Sequence, residues 1–302
     1  QALGLKKGDK VGLFLPNCPT YIYFFFGILK AGGIVVNYNP LYSIDELEFQ
    51  VKNSETQYMV TLDLKVLFEK CDALMVNGVL KNTIVATFSE LLPTTKSILF
   101  RLFKSKELAK ISASKAAGQC IAEKTILNNN GTPKPVEINP DTDIAVLQYT
   151  GGTTGRPKGA MLSHSNIYIN TLQEVKWADN MYGGEKTVIG ILPFFHVFAM
   201  TCVLNFSVAT GSRMVLLPKF EINDAIKLMI KTRPTCMPGV PTLYNAFLNY
   251  KNLPIEAVEN LQFCISGGAP LPQEIKQGFE RLSGCEMIEG YGLTETSPLL
   301  TA

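Results

Sequence analysis

The chain of 302 residues is 46% hydrophobic and 18% charged, enough apolar content for a large core and too much for a disordered chain. Its length suits one large domain or two ordinary ones. Its formal net charge of +2 gives no global reason to expect a nucleic-acid partner. The seven cysteines (18, 71, 120, 202, 236, 264 and 285) form no C-x-x-C pair, and the protein is expected to carry no signal peptide. They read as reduced core thiols of a cytosolic protein in preference to a disulfide set. His164 and His196, the only histidines, lack the spacing of a zinc site.

In chain order, "DKVGLFLPN" predicts a short strand ending at Pro16. "YIYFFFGILKAGGIVV" is too short for a spanning helix, which needs ~20 apolar residues. It predicts a buried helix from an N-cap at Thr20 to Ala31, closed by Gly32, then a strand from Ile34 to Asn37. "TQYMVTL" reads as a strand and "LKVLFEKCDAL" as a helix. Residues 95–135 are first basic, then rich in Asn, Gly and Pro, and read as an excursion from the core. "IAVLQYT" (144–150) and "KGAMLS" (158–163) are predicted strands, and Ser163 or Ser165 caps a helix through "NIYINTLQEVKWA". "TVIGILP", "RMVLLP" and "LQFCISGG" are further strands, with helices near 223–232, 241–251 and 272–283. Alternating strands and helices with no internal repeat predict an α/β fold of mainly parallel sheets flanked by helices.

Between two of these strands lies "YTGGTTGRPKG" (149–159), with four glycines, three threonines and two cations in eleven positions. Glycines let backbone N–H groups approach a ligand, and hydroxyls and cations suit phosphate oxygens. It is not a P-loop, because Lys158 is followed by Gly159, Ala160 and Met161 in place of Lys-Ser or Lys-Thr. A glycine-rich hairpin without a ligand is the plain alternative. Thr150, Thr153, Thr154 and Lys158 together favour a phosphate loop that closes from between two strands.

"YTGGTTGRPKGAMLSH" resembles the phosphate-loop signature of the adenylate-forming (AMP-dependent synthetase/ligase) enzymes. "LPFFHVFAM" (192–200) resembles their aromatic-histidine block, "ISGGAPL" (265–271) their adenine turn and "GYGLTETSP" (290–298) their adenine and magnesium block. The blocks occur in the family's order, and "LGLKKGDKVGLFLPN" and "GVPTLYNAFLN" are most similar to bacterial long-chain fatty acid–CoA ligases. The resemblance implies that residues 1–302 are a partial N-terminal AMP-binding (adenylation) domain, of layered α/β subdomains plus a small barrel. The small C-terminal lid domain, with its lysine, and a ribose-binding aspartate would then lie outside them, and the fragment alone is expected to be inactive.

The implied reaction is adenylation of a medium- or long-chain fatty acid by ATP, releasing pyrophosphate, then thioester formation with CoA. A carboxylic acid of pKa near ~4–5 is already ionised at pH 7, so adenylation needs no general base. It needs charge neutralisation and in-line positioning around polyphosphate. The resemblance assigns ATP binding to Tyr149, Thr150, Gly151, Gly152, Thr153, Thr154, Gly155, Lys158 and Gly159. Gly267, Gly268, Ala269 and Pro270 face Gly290, Tyr291 and Gly292 across the adenine; Thr294 bonds the α-phosphate; Glu295 ligates Mg²⁺. His196 orients the carboxylate, or is a plain core histidine. Phe195, His196, Met200, Gly239 and Val240 line the acyl pocket, and Met200 stands where some long-chain synthetases place a gating tryptophan. No aspartate stands in "FFHVFAM" to hold an amino group, which favours an apolar tail.

Two other readings stay open: a fatty acyl-AMP ligase or other adenylating enzyme, and a non-catalytic lipid- or nucleotide-binding protein. A homodimer is a further expectation. Residues 96–115 carry six basic side chains against Glu107 alone, with Ile98, Leu99, Leu102, Phe103, Leu108 and Ile111 at helical spacing. They predict an amphipathic helix that packs its apolar stripe on the core, or that makes peripheral contact with an anionic membrane.

Overall fold

The computed structural model describes residues 1–150, 157–178 and 185–302. The chain divides into two units, Gln1–His164 and Ser165–Ala302. The first is built on β1 (Lys10–Leu13), α1 (Pro19–Lys30), β2 (Ile34–Asn37), α2 (Ile44–Ser54), β3 (Tyr58–Leu62), α3 (Lys65–Val76) and β4 (Asn82–Ala86). There follow α4 (Thr94–Phe103), β5 (Cys120–Ala122), α5 (Glu123–Leu127), β6 (Ile144–Thr150) and β7 (Lys158–Ser163). The strands form one sheet in the order β5-β4-β3-β1-β2-β6-β7, parallel except for the antiparallel β6–β7 pair. Right-handed crossovers put α1 on one face and α2 and α3, which touch, on the other.

The predicted first helix is present, but its cap is Cys18, not Thr20. Pro19 is the reason: its fixed φ suits the first helical position, where no N–H is needed. Tyr21, Phe24, Phe25 and Ile28 turn inward at helical spacing, and Gly32 ends the turn at φ +83°. The Tyr21 hydroxyl donates to Asn37 Oδ1 at 2.6 Å, and Asn37 Nδ2 donates to Gln148 Oε1 at 2.8 Å. That buried chain ties α1 to the ends of β2 and β6. At α2, Ser43 Oγ accepts from Glu46 N at 3.3 Å while Glu46 Oε2 accepts from Ser43 N at 2.8 Å, a capping box.

The helix predicted over 96–115 is shorter. It stops at Phe103, and Ser105–Glu107, Ile111–Ala113 and Ala117–Gln119 are separate 3₁₀ turns. Leu108 forms an isolated antiparallel bridge with Leu64, and Ala109 N donates to Asp63 O at 2.8 Å, which draws the chain back toward the sheet. The same excursion supplies β5, the edge strand beside β4.

The second unit begins within α6 (His164–Ala178) and continues with β8 (Thr187–Gly190), α7 (Val197–Ala199), a π-helical turn Met200–Asn205 and α8 (Phe206–Thr210). Then come β9 (Arg213–Leu216), α9 (Ile222–Thr232), β10 (Cys236–Gly239), α10 (Pro241–Leu248), β11 (Phe263–Ser266), α11 (Gln273–Ser283) and β12 (Glu286–Glu289). A hairpin of β13 (Tyr291–Gly292) and β14 (Leu299–Thr301) follows. The five-stranded sheet runs β12-β11-β10-β8-β9 and is parallel throughout. Its core joins Tyr244, Phe247 and Phe279 to Met229 and Met237. Tyr244 and Phe279 meet edge to face at 5.0 Å, and the Tyr244 hydroxyl lies 2.6 Å from Met237 O and 3.0 Å from Ile265 O.

Candidate active site

The register of the second sheet sets Gly239, Ser266 and Glu289 in one row across β10, β11 and β12. The chain therefore leaves three adjacent strands side by side, at Val240, Gly267 and Gly290. Gly267 N donates to Gly239 O at 3.1 Å and Gly290 N to Ser266 O at 2.8 Å. β8, parallel to β10, delivers the 192–200 block to the same carboxyl edge. In open α/β sheets that edge is where ligands bind.

Two close approaches shape this edge. A Cβ on Gly267 would lie 3.1 Å from the Phe198 ring and 3.2 Å from Gly290 O, so a side chain there would have to push its neighbours aside by a few tenths of an ångström. Gly268 holds φ +77° and is exposed with Ala269 and Pro270. Leu271 N donates to Glu289 Oε1 at 2.8 Å and so pins the far end of the turn. The result is a fixed strip of peptide, the kind of surface a planar base can lie against.

Tyr291 is 59% exposed on β13. A Cβ on Gly292 would meet Pro298 O at 2.1 Å, so the hairpin closes only over glycine. Thr294–Thr296 forms a 3₁₀ turn, which ends at Ser297 with φ +79°. The Ser297 carbonyl accepts from buried Thr201 Oγ1 at 2.9 Å, and Asn170 bonds both sides of the Leu299 backbone, at 2.7 and 3.1 Å. On this braced turn Thr294 is half-buried, while Glu295 is exposed with no ion pair among the described residues.

His196 caps α7: its Nδ1 accepts from Phe198 N at 3.4 Å. His196 is exposed as a residue, yet the protein around it strips hydration from the ring and lowers its pKa from 6.5. A neutral ring with Nδ1 accepting has Nε2–H left as a donor. Phe195 is half-buried and Met200 fully buried on the π-helical turn. A Cβ on Gly239 would lie 2.8 Å from the Tyr244 ring, so packing alone accounts for that glycine, and Val240 lies half-buried beyond it.

In the first unit, Tyr149 pairs with Gly159 and Thr150 with Lys158 across β6 and β7. A Cβ on Gly159 would sit 3.1 Å from the Tyr149 ring, whose hydroxyl donates to Asn53 Oδ1 at 2.5 Å. Thr150 Oγ1 lies 3.4 Å from Lys158 O, and the Lys158 side chain is exposed. Gly151, Gly152, Thr153, Thr154 and Gly155 lie outside the described residues.

Sequence reasoning missed Thr201, Asn170 and Ser266 as supports of this edge. Ser266 is buried, and its hydroxyl has no partner among the described residues. Phe198 stood inside a quoted block, but nothing in the sequence pairs it with Gly267. No group of three His, Cys, Asp or Glu among the described residues could hold a metal. A carboxylate such as Glu295 would share a hard cation with a ligand's own phosphates, as Mg²⁺ sites commonly do.

The sequence pattern of the AMP-binding enzymes matches residues 1–302, the whole chain. The chain belongs to the AMP-binding enzyme family. Among its relatives in that family, the long-chain-fatty-acid–CoA ligase of Bacillus subtilis is 42% identical over all of this chain and 54% of its own length. The enzyme of the same name from Escherichia coli O157:H7 is 35% identical, again over all of this chain and 54% of its own. ATP-bound MatB from Rhodopseudomonas palustris superposes with a TM-score of 0.76 at 25% identity, over 98% of this chain and 52% of that one. The chain thus spans about half the length of the AMP-binding enzymes it matches.

Proposed function

We propose that the full-length protein is an ATP-dependent fatty acid–CoA ligase. The observation that carries this reading is the exposed carboxylate of Glu295, without an ion pair among the described residues, held on the braced turn that follows Tyr291 in the chain. Support for the acyl substrate comes from the apolar Phe194–Met200 segment, which offers an ammonium group no partner, and from the two relatives named for that activity.

In this reading the Gly267–Pro270 backbone and the Tyr291 ring take the two faces of adenine. Thr150, Lys158 and the loop between them hold the β- and γ-phosphates, and Thr294 bonds the α-phosphate. His196 donates from Nε2 to the fatty carboxylate and aligns it, while Phe195, Met200 and Val240 exclude water from its tail. Glu295, together with the phosphates, would hold Mg²⁺, which would supply charge neutralisation there. A carboxylate oxygen bonds to the α-phosphorus as the bond to pyrophosphate breaks. The CoA sulfur, as thiolate, then bonds the acyl carbon and AMP leaves with the electron pair of the broken C–O bond.

The test is a chain-length series on the purified full-length protein, following acyl-CoA and acyl-AMP separately. Medium and long acids are expected to give acyl-CoA well above acetate or amino acids. A peak at two or three carbons contradicts the acyl assignment. Acyl-AMP that accumulates with CoA present points to a fatty acyl-AMP ligase.

A further inference from the structure

We propose that the outer face of α4 docks on an anionic lipid bilayer. The helix is held to the first unit by one side only. Phe100 packs edge to face on Phe88 at 4.9 Å, and Arg101 Nε donates to Ser89 Oγ at 2.9 Å with its guanidinium 4.0 Å from Glu90. At 100° per residue, Ile98, Leu102, Leu99 and Phe103 fill an arc of roughly 140° on the other side. They are 55%, 68%, 54% and 80% exposed, and no residue of α4 is buried. An ordinary amphipathic helix turns such a stripe to the core; this one turns it to water. Contiguous apolar surface of that kind marks an interaction site.

The rim identifies the partner. Lys96, Lys106 and Lys110 are exposed, and Lys104 is 61% exposed beside Glu107, the one acid in the segment. Arg101 lies 4.0 Å from Glu90 and Lys104 3.2 Å from Glu107, so Lys96, Lys106, Lys110 and the exposed Lys115 are the cations of the segment without an ion pair among the described residues. Apolar side chains ringed by lysines complement phosphate headgroups over acyl chains, whereas a protein partner apolar enough for the stripe would have to supply carboxylates for the rim as well. Among the described residues no helix is long and apolar enough to cross a membrane, so the contact is interfacial.

The inference does not depend on the ligase reading, because lipid binding is measured without turnover. The experiment is sedimentation of the full-length protein with vesicles of phosphatidylcholine alone and with about 30% phosphatidylglycerol, at low and high salt. Binding is expected only with the anionic vesicles and weakens as salt screens the lysines. Leu102→Ser with Phe103→Ser, both at exposed sites, should lower the vesicle partition about tenfold or more. Lys96→Gln, Lys106→Gln and Lys110→Gln together should lower it about fivefold per charge removed. As a variant that keeps the apolar face, Phe103→Trp should bind and shift its emission to the blue with anionic vesicles. Equal binding to neutral vesicles, or wild-type binding by the serine variant, overturns the proposal. So does a protein dimer that the serine variant dissolves, without lipid binding, since the face then belongs to a second copy.

Discussion

Glu174 sits on α6 with its side chain fully enclosed, and one carboxylate oxygen has no hydrogen-bond partner among the described residues. Burial raises its pKa from 4.5 to about 8, against a smaller lowering from a hydrogen bond with Cys202. The folded protein therefore keeps the proton between those values while the unfolded chain releases it. The stability this confers is whole below about pH 4.5 and falls as pH rises, by about 1.4 kcal/mol per unit, until about pH 8. Glu174→Gln keeps the shape without the charge, and should flatten that slope and raise stability at about pH 8 by up to several kcal/mol. Urea denaturation of both proteins at about pH 5 and about pH 8 measures it. The same slope in both would mean that Glu174 is ionised in the folded state. Glu174 was invisible to sequence reasoning, because only packing decides whether the one glutamate of α6 is enclosed or faces water.

Among the elements, the legible ones are those whose local signals agree. β2, β6 and β7 match their expected spans, Ile34–Asn37, 144–150 and 158–163: β2 and β6 are runs rich in β-branched residues with glycine at one end, and β7 was read as the strand that returns from the glycine-rich loop. β10 was missed because it reads "CMPG", with Pro238 in the interior of a central strand. The structure tolerates it because pairing with β8 is confined to Cys236↔Val188, while the β11 ladder runs from Cys236 to Gly239. α2 was missed although Ser43 and Glu46 spell a capping box. The turn after β11 was legible as glycine-rich, but its reason is tertiary: the Phe198 ring from α7 stands 3.1 Å from where a Gly267 side chain would begin. Gly267→Ala should push the turn or the ring aside and raise the KM for ATP about tenfold, with little change in kcat. Phe198→Leu in the same protein should recover part of the loss. A KM unchanged in Gly267→Ala would remove the strip from the nucleotide site.

At the scale of the whole molecule, strand–helix alternation is enough to predict parallel sheets, and both units have them. What alternation could not give is the order of the strands or their register. The site depends on both, since Gly239, Ser266 and Glu289 are far apart in sequence and become one edge only when β10, β11 and β12 align. The glycine-rich turn and the 290–298 block were therefore readable as motifs, while the contacts that hold them, Thr201 with Ser297 and Asn170 with Leu299, were not. The central claim is that this edge serves fatty-acid adenylation, and fatty-acid-dependent ATP–pyrophosphate exchange by the full-length protein tests it most directly. The account predicts exchange that requires a medium- or long-chain acid, falls about a hundredfold in Lys158→Ala, since loss of one donor costs ~3 kcal/mol, and falls further, about a thousandfold or more, in Glu295→Ala. Exchange that proceeds without a fatty acid, or that Glu295→Ala leaves unchanged, contradicts it.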